Sequence, residues 1–299
     1  MLNKYNKYKS SSKLKSRTRK GIPDDIRGQM WQLFANIDTF KQSNSNLFTN
    51  YVNKLFITKE IEINSEDESV IIRDLHRTFP THYIFRNKLG EGQRALFRVL
   101  SVYAVYNTNT GYVQGMGFIT ALFLTYMDEE SAFWMLHSLM KNYELEGFFK
   151  KGFPELRKCL YVMLRLLKKF LPNVYERLKE KKVYPTMYAA QWFFTFYSCV
   201  FDFEILVRIF DCLLLEGFKV IYRIALGIFK CNESNILKYN SFEELMSYFK
   251  QLTKDIDVEV LLQKGFSFSF SRRDILRYQR EYDAVKSNKN DEIIKQVDF

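Results

Sequence analysis

Apolar residues in this chain recur at intervals of three and four, segment after segment, and that spacing constrains the fold more than any other feature. Ile26, Met30, Leu33, Phe34 and Ile37 follow it, as do Leu156, Leu160, Met163, Leu164 and Leu167. The same rhythm returns in Ile205, Leu206, Ile209, Phe210 and Leu213, and again in Phe242, Leu245, Met246, Phe249 and Leu252. Each stripe is one helix face that must be buried against a neighbour. Boundary chemistry agrees. Pro23 suits a first helical position with Asp24 and Asp25 at the positive end of the dipole, Pro154 opens the second stripe, Asp202 can cap the third and Gly217 end it. Ser241 and Glu244 form a capping box. Alternation of period two is confined to Phe266-Ser267-Phe268-Ser269-Phe270. The expected fold is all-α.

At 299 residues, 47% of them apolar, the chain can bury one large core or two smaller ones. Two uncharged runs, residues 111–127 and 183–201, approach the length of a membrane span. Their Gly, Pro, Gln, Thr and Ser content reads instead as buried core helices of a soluble protein. Cys159, Cys199, Cys212 and Cys231 show neither metal-ligand nor disulfide spacing, which fits reduced thiols inside the cell. No apolar leader precedes the first helix. Eight of the eleven units of net positive charge fall in residues 1–20, which contain no acid. That segment reads as a disordered basic tail over 1–19, either simply solvated or attracted to an anionic membrane surface. No recognition motif supports nucleic acid as its partner. Residues 38–68 read as an extended loop with one short helix, 20–285 as the folded part, and 286–299 as a frayed polar end.

The chemistry is sparse. There is no Gly-rich loop ending in Gly-Lys-Ser/Thr, no Gly-x-Ser-x-Gly and no His-Glu-x-x-His. Three histidines, His76, His82 and His137, leave little scope for imidazole catalysis, and the first two read as surface residues. Two segments stand apart. In Ile71-Ile72-Arg73-Asp74-Leu75-His76-Arg77-Thr78-Phe79-Pro80, Asp74 and Arg77 share a helix face. Spacing alone gives a surface ion pair worth about 0–1 kcal/mol. Pro80 disfavours helix at Phe79, so the sharper reading has Arg77 project from the last turn. In Gly111-Tyr112-Val113-Gln114-Gly115-Met116, a turn leads into an apolar helix. Gln114 there either hydrogen-bonds its own turn or faces a partner that the glycines let approach. An arginine fork can neutralise charge on a transferring phosphoryl group, and a glutamine amide can orient a water.

Taken in order, these segments resemble the TBC domain, the family of GTPase-activating proteins for Rab GTPases. Gly21-Ile22-Pro23 through Arg27-Gly28-Gln29-Met30-Trp31 resembles its opening helix, and Ile71-x-x-Asp74-x-x-Arg77 with Thr78-Phe79-Pro80 its arginine-finger motif. Gly92-Gln93 through Tyr106-Asn107, with Gly111-Tyr112-x-Gln114-Gly115-Met116, resembles the glutamine-finger region. Gln191-Trp192-Phe193, Arg208-Ile209-Phe210-Asp211 and Leu214-Leu215-Glu216-Gly217 resemble the second half. The motifs cover residues 20–231, with further helices over 232–285.

The resemblance implies a V-shaped, two-lobed, all-helical domain that clamps a GTP-bound Rab. By motif match Arg77 would be the arginine finger and Gln114 would replace the Rab's own water-positioning glutamine. Asp74 would hold the arginine segment, and Arg27, Trp31, Tyr112, Gly115 and Met116 would build the supporting shell. Such a chain is not a self-contained enzyme. GTP and Mg2+ come with the Rab, and the activator holds no cofactor or metal of its own. It would work in the cytoplasm, peripherally on intracellular membranes. Two departures from the family pattern are small: Met30 stands where a β-branched residue is frequent, and Gly117 where a small polar residue is common. The alternative is a Rab-binding adaptor without catalysis, which would have no physical need of both fingers.

Overall fold

In the computed structural model the described residues are 5–9, 11–143, 145–149, 154–287 and 291–297, and among them there is no strand. The chain divides into two compact units, Met1–Lys150 and Lys151–Phe299.

The first unit holds α1 (Tyr5–Tyr8), α2 (Ser12–Arg19), α3 (Asp24–Ala35), α4 (Ile37–Ser43), α5 (Leu47–Val52), α6 (Ser65–Leu75), α7 (Glu91–Tyr106), α8 (Met116–Leu124) and α9 (Glu129–Asn142). Helix α6 packs on α7, α7 on α8 and α9, and α3 and α4 also rest on α9. Helix α8 is apolar all round, and Met116 to Phe123 are all buried, as the first uncharged run requires. Its neighbours supply aromatic bulk: Trp31, Tyr103, Phe133 and Trp134 are sealed from solvent. Caps set where helices start. Asn64 accepts from the Asp67 amide ahead of α6, and Asp128 from the Ser131 amide ahead of α9. Pro23 sits in the cap position with extended backbone, so α3 starts one residue later than expected. Residues 38–68 carry more helix than expected: α4, α5 and a π-helical stretch, Asn53–Ile57, precede α6.

The second unit holds α10 (Pro154–Phe170), α11 (Pro172–Glu180), α12 (Ala190–Phe194), α13 (Phe203–Glu216), α14 (Lys219–Lys238), α15 (Phe242–Phe249), α16 (Val258–Ser267), α17 (Arg272–Val285) and α18 (Ile294–Val297). Helix α14 lies along α16, and α10 lies on α11 and α17. Both bonds of the Ser241–Glu244 capping box form. Gly217 ends α13 at φ 81°, but Asp202 heads that helix without a side-chain cap bond. The second uncharged run is not one helix. A 3₁₀ turn at Pro185, the short α12 and left-handed Phe196 and Tyr197 break it, while Trp192, Phe193, Phe196 and Tyr197 stay buried. No described helix is long and apolar enough to cross a membrane. The Phe266–Phe270 alternation pairs with no strand. Its first two residues finish α16, and the Arg223 guanidinium donates to the carbonyls of Phe266, Phe268 and Phe270 at 3.4, 2.6 and 3.2 Å.

Both expected tails need correction. Residues 12–19 are helical, capped by Ser11 and anchored by buried Leu14 and Thr18, so the basic segment is not a disordered tail over its described part. Residues 1–4 and 10 lie outside the described residues. At the other end, Ile293, Ile294 and Val297 are buried and α18 rests on α10, so three apolar side chains hold a stretch that composition alone marked as frayed. Residues 288–290, 298 and 299 lie outside the described residues.

Candidate functional site

Helix α6 carries the site. Ile71 and Leu75 bury its inner face, and Asp74 lies between them at 2% exposure. A carboxylate so placed must be paired. It has two partners: the Arg77 guanidinium, with Nη2 2.6 Å from Oδ1, and the Tyr112 hydroxyl, which donates to Oδ2 at 2.6 Å. Expected as an exposed pair, the Asp74–Arg77 contact is one-sided. The Asp74 side chain is 2% exposed and the Arg77 side chain 45%. The arginine is therefore gripped from below by a buried anion while part of its fork faces outward.

The helix ends sooner than Pro80 alone predicts. It stops at Leu75, and Arg77 occupies the following turn, where its N–H donates to the Asp74 carbonyl at 3.2 Å. The Thr78 hydroxyl donates to the same carbonyl at 2.7 Å, and Phe79 takes a left-handed φ of 42°. That reversal sends the chain back into the core. The Phe79 ring meets Phe118 edge-on at 5.7 Å, and Phe85 is fully buried. Gln93 fastens the rest of the loop, donating to the Phe85 carbonyl at 2.9 Å and accepting from the Leu89 amide at 3.1 Å. His76 is exposed and His82 half-buried in this segment. Burial lowers the His82 pKa, which keeps the ring neutral at physiological pH.

Gln114 comes from the turn before α8. Gly115 takes φ 106° at the head of that helix, a conformation that L side chains rarely adopt. The turn leaves Gln114 exposed while Tyr112, Gly115 and Met116 are buried. With its amide oxygen facing the guanidinium, Gln114 accepts from Arg77 Nη1 at 3.1 Å and Nη2 at 2.9 Å. Two side chains thirty-seven positions apart thus meet at one exposed point. Burial first, and then the charge of Asp74, push the Tyr112 hydroxyl well above its ordinary pKa, so it remains a neutral donor. The same hydroxyl accepts the Gly117 N–H at 3.2 Å. A Cβ at Gly117 would stand 2.9 Å from it, so the departure noted at 117 permits a close approach.

Arg27 and Trp31 belong to the other end of α8. Arg27 donates to the Tyr126 hydroxyl at 3.1 Å and to the Ile22 carbonyl, and pairs with Asp24. Trp31 meets the rings of Tyr126 and Phe123 edge-on, at 5.0 and 6.0 Å. They pin α3 to the helix whose first turn follows Gln114. Sequence reasoning missed Asp67 and Tyr126. Asp67 stood among the first-turn acids of α6, and only its contact with the later turn distinguishes it. Among the described residues no group of His, Cys, Asp or Glu is arranged to hold a metal. A shallow groove lined in part by Tyr83, Ile84, Asn87, Ala95, Leu124 and Met127 borders the loop that follows Arg77. On that loop Tyr83 and Leu89 are 69% and 72% exposed.

The Rab-GTPase-TBC domain model matches residues 24–237, which contain Arg27, Trp31, Asp74, Arg77, Tyr112 and Gln114. The chain belongs to that family. This TBC domain is 31% identical over 271 residues to the Rab GTPase-activating protein tbc-11 of Caenorhabditis elegans, covering 89% of this chain and 28% of the relative. It is 37% identical over 238 residues to the GTPase-activating protein GYP5 of Saccharomyces cerevisiae, covering 79% of this chain and 24% of that one. The TBC domain thus spans about a quarter of the length of these relatives. Among solved structures, the Chlamydomonas flagellar RabGAP TBC domain superposes with a TM-score of 0.74 at 26% identity, covering 89% of this chain and 88% of that one. The Ypt/Rab-GAP domain of Gyp1p shares the fold, with a TM-score of 0.69 at 18% identity over 94% and 98% of the two chains.

Proposed function

We propose that this TBC domain accelerates GTP hydrolysis on a Rab-family GTPase, lending Arg77 as an arginine finger and Gln114 as a glutamine finger. The observation that carries the reading is their contact: an exposed guanidinium, held from beneath by buried Asp74, beside an exposed amide. Phosphoryl transfer to water needs charge stabilisation and positioning more than covalent chemistry. Arg77 meets charge developing on the phosphoryl oxygens, and Gln114 orients the attacking water. The GTPase brings GTP and Mg2+. In the unbound domain the Gln114 oxygen occupies the fork of Arg77, so engagement exchanges that contact for phosphate on one side and water on the other. Asp74 and Tyr112 keep their grip throughout. An arginine finger in trans contributes about 10³–10⁵ in rate, on the order of 4–7 kcal/mol of barrier. The domain names of tbc-11, GYP5 and the Chlamydomonas structure support the same activity.

The test loads a panel of purified Rabs with GTP and times phosphate release with wild type, Arg77→Ala, Arg77→Lys and Gln114→Ala. Wild type stimulates at least one Rab, and all three variants lose nearly all of that stimulation, lysine being a point charge without the planar fork. Binding without stimulation would replace this reading by the adaptor.

We propose further that the domain works peripherally on the cytoplasmic side of an anionic intracellular membrane, through α2. Lys13, Arg17 and Lys20 recur every three to four residues along its solvent side, while Leu14 and Thr18 hold the helix down. Basic residues near such a surface contribute roughly 1 kcal/mol each. Pelleting with phosphatidylserine vesicles is expected to fall in K13E/R17E/K20E, and equal pelleting of both proteins would refute this.

A further inference from the structure

Asp67 lies in the first turn of α6, seven residues ahead of Asp74, and does more there than begin a helix. Its carboxylate accepts from Asn64 Nδ2 at 2.9 Å, and the Tyr112 N–H lies near enough to favour its charged form. The Gly111 backbone lies directly on it: at φ +61°, a Cβ there would stand 2.9 and 3.3 Å from the two carboxylate oxygens. The turn is therefore flanked at both ends by the same helix, its Gly111–Tyr112 backbone against Asp67 and the Tyr112 hydroxyl on Asp74. Seven residues of helix rise about 10.5 Å, a span that a tyrosine and two aspartate side chains bridge. Gln114 follows two residues after Tyr112.

We infer that Asp67 is a positioning residue for Gln114: it ties the turn 111–114 to α6, so that the amide meets the arginine carried at the other end of the same helix. The inference rests on the role proposed above for Gln114. A first-turn acid also favours α6 through the helix dipole, and Asn64 and Asp67 cap one another. A loss of stability would therefore not distinguish the two roles.

Two readouts do. In Asp67→Ala, hydrogen exchange at the Tyr112 amide is expected to speed at least tenfold while peptides from the middle of α6 keep their protection. Unchanged exchange at Tyr112 would overturn the inference. In GTP hydrolysis on a responsive Rab, Asp67→Ala is expected to lower kcat about 10- to 100-fold with little change in KM. The same substitution placed on Gln114→Ala is expected to cost nothing further, because its effect passes through the missing side chain. Equal losses in both backgrounds would overturn the inference. Faster exchange at Tyr112 beside a wild type that stimulates no Rab would uphold the tie and refute the catalytic role that the tie serves.

Discussion

Tyr112→Phe isolates one oxygen atom at the centre of the site. The ring stays and no cavity opens, but the hydroxyl that donates to Asp74 at 2.6 Å and accepts from Gly117 at 3.2 Å is gone. A hydrogen bond to a charged group contributes about 1.5–3 kcal/mol, and a buried N–H left without a partner costs about 1–3 kcal/mol. The two overlap, since one atom serves both, so a loss of about 3–4 kcal/mol is expected. For a cooperative unit of this size each kcal/mol moves Tm by roughly 2–4 °C, which gives a fall of roughly 6–16 °C. Activity should suffer less than in Arg77→Ala, because Asp74 still pairs with Arg77. About tenfold in kcat, or about 1.4 kcal/mol of barrier, is the expected loss. Thermal melts followed by circular dichroism and single-turnover phosphate release measure the two effects on one preparation. A Tm within about 1 °C of wild type together with full activity would show that Asp74 does not depend on Tyr112.

Asp67→Asn has a different sign. Burial raises the Asp67 pKa against the nearby Tyr112 N–H and the hydrogen bond from Asn64, so ionisation of Asp67 opposes folding at neutral pH. A carboxyl whose folded pKa is raised lends its stability below its unfolded pKa and loses it as pH rises through the folded value. Melting curves at pH 7 are therefore expected to show no fall in Tm for Asp67→Asn, and a marked fall would refute the sign. Tyr83→Ala and Leu89→Ala are each expected to raise KM for the responsive Rab about 5- to 50-fold with kcat retained, as exposed apolar anchors on the loop after Arg77. Steady-state kinetics over a range of Rab concentration decides, and a kcat effect alone would show that neither side chain contacts the Rab. Arg223→Ala strips charged donors from the carbonyls of Phe266, Phe268 and Phe270 and should destabilise the second unit by about 3 kcal/mol or more, read by urea titration.

The fold class was legible because stripes such as Leu156–Leu160–Met163–Leu164–Leu167 leave a helix few alternatives, and because Ser241, Glu244 and Gly217 mark their own positions. Arg77, Gln114, Asp74 and Tyr112 stood out in their segments, and the structure brings the four side chains into contact. Their energetics were not legible. Spacing made Asp74–Arg77 a surface pair, since nothing in the string tells that Asp74 is sealed by a tyrosine thirty-eight residues later. Nor could it tell that α6 stops at Leu75, well before proline acts, and that Phe79 then turns left-handed. Both termini were misjudged for one reason. Composition averaged over a polar stretch hides the few side chains, Leu14 and Thr18 or Ile293, Ile294 and Val297, that hold it down.

Because α6 bears Asp67 near its start and Asp74 near its end, the alignment of Gln114 with Arg77 is a matter of rotational phase. A substitution elsewhere that tilts α6 carries both attachment points together and leaves their relative bearing intact. A single residue inserted between Ser69 and Val70 would change no side chain at the site, yet it would twist Asp74 by about 100° relative to Asp67. The register of one short helix, counted to the residue, thus sets where Gln114 and Arg77 come together.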